Sequence, residues 1–149
     1  MPSNIHKNSE KQRPQDQPLI LIVDNDHDNI LFASCIIDSL GMRYVFTDDS
    51  EECLNLVHQL LPDIILLDIV MPKIDGLEII RLLKQDRNLS HIPIIAVTGL
   101  TRTQDKDRLS KAGCDEYLSK PYMIEELESK IFSCLNCVLV ENKLTNQYR

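Results

Sequence analysis

The sequence lacks the segments that would direct a chain to a membrane or to a nucleic acid. No apolar run reaches the ~18 residues that a membrane span needs. The polar start, MPSNIHKNSEKQRPQDQP, has no apolar stretch of the kind found in secretory signals, and the chain has no polybasic segment or lipidation motif. The formal net charge of −7 disfavours a nucleic-acid surface, which needs clustered Lys and Arg. We therefore expect a cytoplasmic protein with no membrane or nucleic-acid partner.

The chain also lacks the cysteine pattern of a disulfide or zinc framework. Its five cysteines, at positions 35, 53, 114, 134 and 137, are odd in number and widely spaced, which favours reduced thiols in the cytoplasm. Cys134 and Cys137 form one CxxC motif. Zinc would need two further ligands, and the sequence offers no second Cys pair and no His pair. We expect no metal or redox chemistry at this motif.

Length and composition fit one globular domain. The 149 residues, 43% hydrophobic and 26% charged, are enough for a sizeable core but too few for two comfortable domains. Residues 1–17 are rich in Gln, Asn, Lys and Pro, a composition that predicts a disordered arm. We expect the folded domain over residues 18–138 and a loose tail over residues 139–149.

Apolar runs alternate with helical patterns along the folded part. Continuous apolar runs are typical of strands buried on both faces of a parallel sheet. The predicted strands are Leu19–Asp24, Arg43–Thr47, Asp63–Asp68, Ile92–Thr98 and Glu116–Ser119, and the predicted helices lie at about 30–40, 50–61, 77–83, 103–112 and 123–138. This alternation predicts an α/β fold, a doubly wound five-stranded parallel sheet with five helices. The flavodoxin-like order 2-1-3-4-5 suits it, although chain order alone does not prove strand order.

Polar side chains follow the predicted strands at the edge where ligands bind in such sheets. The first strand ends at Asp24, the third at Asp68 and the fourth at Thr98, and the fifth runs into Lys120. Carboxylates packed together either hold protons or recruit a cation, and one or two carboxylates with waters are typical of magnesium sites. A carboxylate can also be a nucleophile that forms an aspartyl phosphate. The sequence therefore predicts a phosphoryl-transfer site around an attacking Asp68.

These stretches resemble the receiver domain of two-component response regulators, of the stand-alone, chemotaxis-receiver-like kind. The resemblance covers about residues 18–138 and is carried by LILIVDND, PDIILLDIVMPKIDG, IIAVTG and GCDEYLSKP. It implies a switch, not an enzyme, that takes a phosphoryl group from a histidine kinase or a phosphotransfer protein. The surface around the fourth helix, fifth strand and fifth helix, about residues 102–138, would then contact a separate protein partner or a second copy of the chain.

The resemblance assigns phosphoryl-binding roles residue by residue. Asp68 would be the phosphoacceptor, and Lys120 would pair with the phosphoryl group. Thr98 would be the switch hydroxyl, and Tyr117 would be the aromatic switch that swings inward when Thr98 moves toward the phosphoryl group. The peptide bond between Lys120 and Pro121 would be cis.

The resemblance also implies a Mg²⁺ pocket, and one residue departs from the family's pattern. The ligands would be Asp24, Asn25, Asp68 and the backbone carbonyl of Val70. The family usually has a second acid where this chain has Asn25, whose amide oxygen can bind a metal ion but brings no charge. Because a unit charge at about 4 Å is worth up to ~4 kcal/mol at an effective dielectric of 20, we expect weaker Mg²⁺ binding than in a three-acid pocket.

Two other functions stay open at this stage. A pseudo-receiver would have the same fold and signal by protein contact alone; Asn25 favours it, whereas the intact Asp68, Thr98 and Lys120 disfavour it. A haloacid-dehalogenase-like phosphatase would use Asp24 and Asp26 as its DxD pair. Nothing after Lys120 supplies the final pair of acids of such a phosphatase, and Asp68 would have no role in it.

Overall fold

One mixed sheet with helices on both faces makes up the protein in a computed structural model, which describes residues 6–7, 17–99 and 103–147. In these residues the strands are β1 His6–Lys7, β2 Leu19–Val23, β3 Arg43–Thr47, β4 Ile64–Asp68, β5 Ile94–Thr98 and β6 Glu116–Ser119. The order is β1-β3-β2-β4-β5-β6, with β1 antiparallel and the others parallel. The five parallel strands therefore confirm the predicted order 2-1-3-4-5.

Five helices connect or follow the parallel strands. They are α1 His27–Ser39, α2 Ser50–Leu60, α3 Gly76–Gln85, α4 Thr103–Ala112 and α5 Ile124–Gln147. Asp26, Asp49 and Asp75 precede the first three helices, and each carboxylate accepts a hydrogen bond from the backbone N–H two residues later, at 2.9, 2.9 and 3.2 Å. These caps satisfy donors that a helix start leaves open. Gly113, with φ of 105°, follows the end of α4, as a glycine stop predicts.

Side chains of the central strands alternate between two apolar cores. On one face, Leu21 and Ile65 pack with buried residues of α2, α3 and α4. On the other face, Ile22 and Leu66 pack with buried residues of α1 and α5. Burial on both faces explains why these strands are continuous apolar runs in the sequence. It also leaves the strand ends as the places where polar side chains reach the sheet.

A short edge strand lies within the predicted N-terminal arm. In β1, His6 pairs with Phe46 of β3 and Lys7 pairs with Val45. The structure therefore differs at these two positions from the predicted disordered arm over residues 1–17. The pairing joins segments that are far apart in the chain, which composition alone does not reveal. Residues 1–5 and 8–16 of the arm lie outside the described residues.

The last helix continues past the predicted domain end at residue 138. The backbone of α5 is helical to Gln147, within the segment predicted as a loose tail. No Gly or Pro follows Pro121 in the chain, so the sequence contains no strong stop signal for this helix. Side chains along α5 are described as far as residue 136, and those of Leu127, Ile131 and Cys134 are buried against the sheet.

Two expectations drawn from absences can be compared with the described part of the chain. None of its helices combines the length and the apolar character that a membrane span requires. The four cysteines whose side chains are described, Cys35, Cys53, Cys114 and Cys134, are all free thiols. The side chain of Cys137, the second cysteine of the CxxC motif, lies outside the described residues.

Candidate functional site

Four predicted polar residues meet at the carboxyl edge of the parallel strands. Asp24 follows β2, Asp68 and Thr98 end β4 and β5, and Lys120 follows β6. Asp68 pairs with Val97 in the sheet register, and Thr98 pairs with Ser119, so neighbouring strands end close together. Asp24 and Asp68 are each 6% exposed and Thr98 is 1% exposed. Polar groups this deeply buried need specific partners.

The ammonium group of Lys120 lies between the two buried carboxylates. Its Nζ is 3.3 Å from Oδ2 of Asp24 and 3.2 Å from Oδ2 of Asp68. The other oxygens are held by the backbone, because Asp24 Oδ1 accepts from Asp26 N at 2.9 Å and Asp68 Oδ1 accepts from Val70 N at 3.1 Å. Both Oδ2 atoms are therefore fixed toward the same ammonium group.

The charges of the site do not balance. Two carboxylates against one lysine leave one negative charge in excess. Burial raises the pKa of Asp24 above its ordinary value, and the neighbouring charge of Asp68 raises it further. The backbone hydrogen bond from Asp26 and the nearby Lys120 oppose this shift. A buried site with this imbalance either takes up a proton or attracts a further cation.

The oxygen donors at this edge fit a hard divalent cation. Asp24 and Asp68 supply two carboxylates, and exposed Asn25 comes directly after Asp24. The described residues contain no group of three or more His, Cys, Asp and Glu side chains arranged for a metal ion. Mg²⁺ commonly uses only one or two carboxylates and keeps several waters. The residues present therefore fit Mg²⁺, with neutral oxygens such as the Asn25 amide completing the set.

Tyr117 lies within β6, and Pro121 directly follows Lys120. Tyr117 is 39% exposed, and its ring lies between two lysines. Lys106 Nζ of α4 is 5.4 Å from the ring centroid, and Lys130 Nζ of α5 is 5.9 Å from it. These distances are in the range of cation–π attraction, so Tyr117 faces the surface between α4 and α5. The Lys120–Pro121 peptide bond is cis.

A family model matches most of the chain. A model described as the response regulator receiver domain matches residues 20–132, which include Asp24, Asp68, Thr98 and Lys120. The chain belongs to the response regulator receiver family. The sequence resemblance is thereby confirmed for nearly the whole of the predicted folded domain.

Similar proteins place this receiver among response regulators. The chain is 35% identical over 116 residues to the polar-differentiation response regulator DivK of Brucella ovis, covering 78% of this chain and 94% of that protein. The structure of a CheY-like receiver domain protein from Methanospirillum hungatei matches with a TM-score of 0.78 and 25% identity, over 85% of this chain and 99% of that one. Chemotaxis response regulator CheY4 of Vibrio cholerae, at 22% identity and a TM-score of 0.75, covers 79% of this chain and 98% of its own, and shares the fold.

Sequence reasoning missed one aromatic residue at the site of this receiver. Tyr122 lines a small cavity together with Asn29 and the carboxylates Asp24 and Asp68. Burial raises the pKa of Tyr122 to about 12, and the charge of Asp24 adds to the shift. Its ring centroid is 5.6 Å from that of Phe32 on α1. The only sequence signal was that Tyr122 lies two residues after Lys120, and helical periodicity does not reveal such a contact.

Proposed function

We propose that this receiver is a phosphorylation-dependent signalling switch whose phosphoacceptor is Asp68. The observation that carries the proposal is the buried Asp68 carboxylate with its Oδ2 held 3.2 Å from the Lys120 ammonium. A histidine kinase or a phosphotransfer protein presents a phosphohistidine, and a carboxylate oxygen of Asp68 attacks the phosphorus atom. The new O–P bond replaces the N–P bond of the donor, and the released imidazole nitrogen takes up a proton.

The neighbouring residues stabilise the charge that arrives with the phosphoryl group. Lys120 pairs with it, and the Thr98 hydroxyl donates to one of its oxygens. Asp24, Asn25, Asp68 and the Val70 carbonyl would hold a Mg²⁺ ion. When bound, this ion supplies positive charge to the phosphoryl oxygens, the main requirement of phosphoryl transfer. The excess negative charge around Lys120 supports a cation in this place.

The signal is carried by the surface of α4, β6 and α5, about residues 102–138. Tyr117 lies on this surface between Lys106 and Lys130. When Thr98 moves toward the phosphoryl group, the ring of Tyr117 moves inward and leaves the two lysines. The surface then differs in shape and charge between the two states. A separate protein partner or a second copy of the chain, in the cytoplasm, reads the difference.

One observation favours a second candidate, a pseudo-receiver that is not phosphorylated. Asn25 gives the metal pocket less negative charge than an acid at this position would. The Asp68–Lys120 pair at 3.2 Å supports the phosphorylated switch instead. The phosphatase alternative has less support from the structure. The Asp26 carboxylate accepts from Asp28 N at 2.9 Å and caps α1, so it is engaged in the helix start.

Intact mass after incubation with acetyl phosphate and Mg²⁺ tests the proposed function. We expect one phosphoryl group on the wild-type protein, no addition to Asp68→Asn, and no addition after chelation of Mg²⁺. Asp107→Asn, which removes an exposed carboxylate of α4, is the matched control and keeps wild-type addition. A wild-type protein that gains no phosphoryl group over a wide range of Mg²⁺ concentrations would contradict the proposal and favour the pseudo-receiver.

A further inference from the structure

The loop after Asp68 lies against the first turn of α2. It joins β4 to α3 over residues 69–75. Ser50, the first residue of α2, is 1% exposed. Its hydroxyl donates to the carbonyl oxygen of Pro72 at 2.8 Å and accepts from the backbone N–H of Ile74 at 3.1 Å. One buried hydroxyl therefore binds the loop on both sides of its tip, which is Lys73.

The two ends of the loop have their own anchors. Gly76 N donates to the carbonyl oxygen of Ile69 at 3.1 Å. A Cβ atom at Gly76 would lie 2.6 Å from the Ile69 Cα, so the chain crosses itself closely there. The side chain of Met71 is buried in the core. Within the described residues, the backbone of 70–74 makes no hydrogen bond to another backbone group.

Lys73 makes the other contact between this loop and the start of α2. It is a non-glycine residue at φ of 71°. Its Nζ is 3.4 Å from Asp49 Oδ2 and 4.0 Å from Glu51 Oε2, and its side chain is 53% exposed. Exposed ion pairs at such distances contribute little. The Ser50 hydroxyl is thus the principal polar tether of the loop tip.

We propose that Ser50 is a positioning residue for the divalent cation at Asp68. By fixing Pro72 and Ile74, it holds the preceding Val70 in place, so that the Val70 carbonyl is ready for the cation before the cation arrives. A group that orients a metal-binding residue, without touching the metal itself, changes the affinity of the site for the metal. The proposal rests on the proposed function in one respect, since that function assigns the Val70 carbonyl to Mg²⁺.

Two measurements on unphosphorylated protein test this role. Isothermal titration calorimetry gives the Mg²⁺ affinity, and amide hydrogen exchange followed by NMR in Mg²⁺-free buffer reports on the Ile74 N–H. For Ser50→Ala we expect about tenfold weaker Mg²⁺ binding and about fivefold faster exchange at Ile74, since one hydrogen bond is lost.

Two control variants separate positioning from a general loss of stability. Ser34→Ala removes a hydroxyl of similar burial, 6% exposed, that donates to Leu31 O within α1. Lys73→Ala removes the exposed ion pairs and keeps the Ser50 hydroxyl. We expect each control to change the Mg²⁺ affinity by less than about twofold.

The outcomes distinguish this proposal from the proposed function. Unchanged Mg²⁺ affinity in Ser50→Ala overturns it, as does equal weakening in Ser34→Ala or in Lys73→Ala, or a wild-type protein that binds no Mg²⁺. If the wild type takes no phosphoryl group but Ser50→Ala alone weakens Mg²⁺ binding, the proposed function fails and the role of Ser50 stands.

Discussion

Two lysines at opposite ends of the sheet bind carboxylates in different ways. At the amino end of β5, Lys84 Nζ donates to Ser90 O and Ile92 O, each at 3.1 Å, and to Asp115 Oδ2 at 2.9 Å. At the carboxyl end, Lys120 Nζ lies 3.3 and 3.2 Å from two carboxylates that are themselves buried. Both lysine side chains are largely covered, with 19% and 26% exposed.

The difference lies in the charge balance of each cluster. The three N–H groups of Lys84 have three acceptors, of which only Asp115 is a carboxylate. That cluster is therefore neutral and its donors are satisfied. Asp115 also accepts from Ile94 N at 2.8 Å, which ties the start of β5 to the start of β6. Lys120 lies beside two carboxylates, so its cluster has one excess negative charge. A satisfied, neutral cluster stabilises the fold, whereas a cluster with an excess negative charge attracts a further cation.

Removing the ammonium at the carboxyl end should have the largest effect on chemistry. We expect Lys120→Met to slow phosphoryl transfer from acetyl phosphate by about a hundredfold, because a positioned charge beside the reacting group is lost. The initial rate from intact mass measures this. Lys84→Met is the control and should keep the wild-type rate within about twofold. A similar loss in both variants would break the distinction between the two clusters.

Removing the ammonium at the amino end should act on stability instead. Lys84→Met leaves the carbonyl oxygens of Ser90 and Ile92 without this donor and Asp115 without its charge partner. We expect the free energy of unfolding, measured in urea, to fall by about 2 kcal/mol. Lys73→Met removes an exposed ammonium with surface ion pairs only and should change it by less than about 0.5 kcal/mol. Equal effects of the two substitutions would contradict a structural role for Lys84.

Adding a negative charge at the carboxyl end should strengthen Mg²⁺ binding. Asn25→Asp gives the pocket a third carboxylate beside Asp24 and Asp68. We expect about tenfold tighter Mg²⁺ binding, well below the full Coulomb energy, because the metal-free pocket then also suffers more repulsion. A calorimetric titration of both proteins measures the change. Equal affinities would show that the amide at position 25 does not weaken the site.

Neutralising a carboxylate beside each lysine should raise stability at the carboxyl end, where Asp24 is buried, and lower it at the amino end. The folded-state pKa of Asp24 lies above its ordinary value of 3.8, chiefly because of burial. The folded protein therefore holds this proton more strongly than the unfolded chain, and stability falls as pH rises through the folded-state pKa. Without Mg²⁺ at pH 7, we expect Asp24→Asn to raise the free energy of unfolding by about 1 kcal/mol.

The matching substitution at the amino end is Asp115→Asn. It removes the charge partner of Lys84, so we expect lower stability at the same pH. Urea unfolding between about pH 4 and 7 also tests the sign for Asp24, since its substitution should weaken the fall in stability with rising pH. Destabilisation by Asp24→Asn at neutral pH would show that the carboxyl end is not short of positive charge.

Local signals in the sequence were enough for most of the fold. The runs that became β2, β4 and β5 are buried on both faces, so their apolar residues are continuous and easy to recognise. In the structure, Asp26, Asp49 and Asp75 each cap a helix start through a backbone N–H two residues later. These contacts join residues that are close in the chain.

Contacts between distant segments were not visible in the same way. β1 depends on pairing between His6 and Phe46, and no local pattern predicts that register. The acceptors of Lys84 come from Ser90, Ile92 and Asp115, which only the folded chain brings together. The helix α5 extends to Gln147, beyond the predicted end at residue 138, because no stop residue follows that position.

The candidate site also has features that the sequence predicts and features that depend on contacts between distant segments. The alternation of strands and helices can be read from the sequence alone. It predicts that Asp24, Asp68, Thr98 and Lys120 lie at one edge, because parallel strands bring their carboxyl ends together. Which charges are balanced, and that the Ser50 hydroxyl binds the loop after Asp68, depends on the folded structure. Charge balance and hydrogen-bond geometry depend on burial and on distances of about 3 Å between atoms of distant residues. The sequence alone gives neither the burial nor these distances.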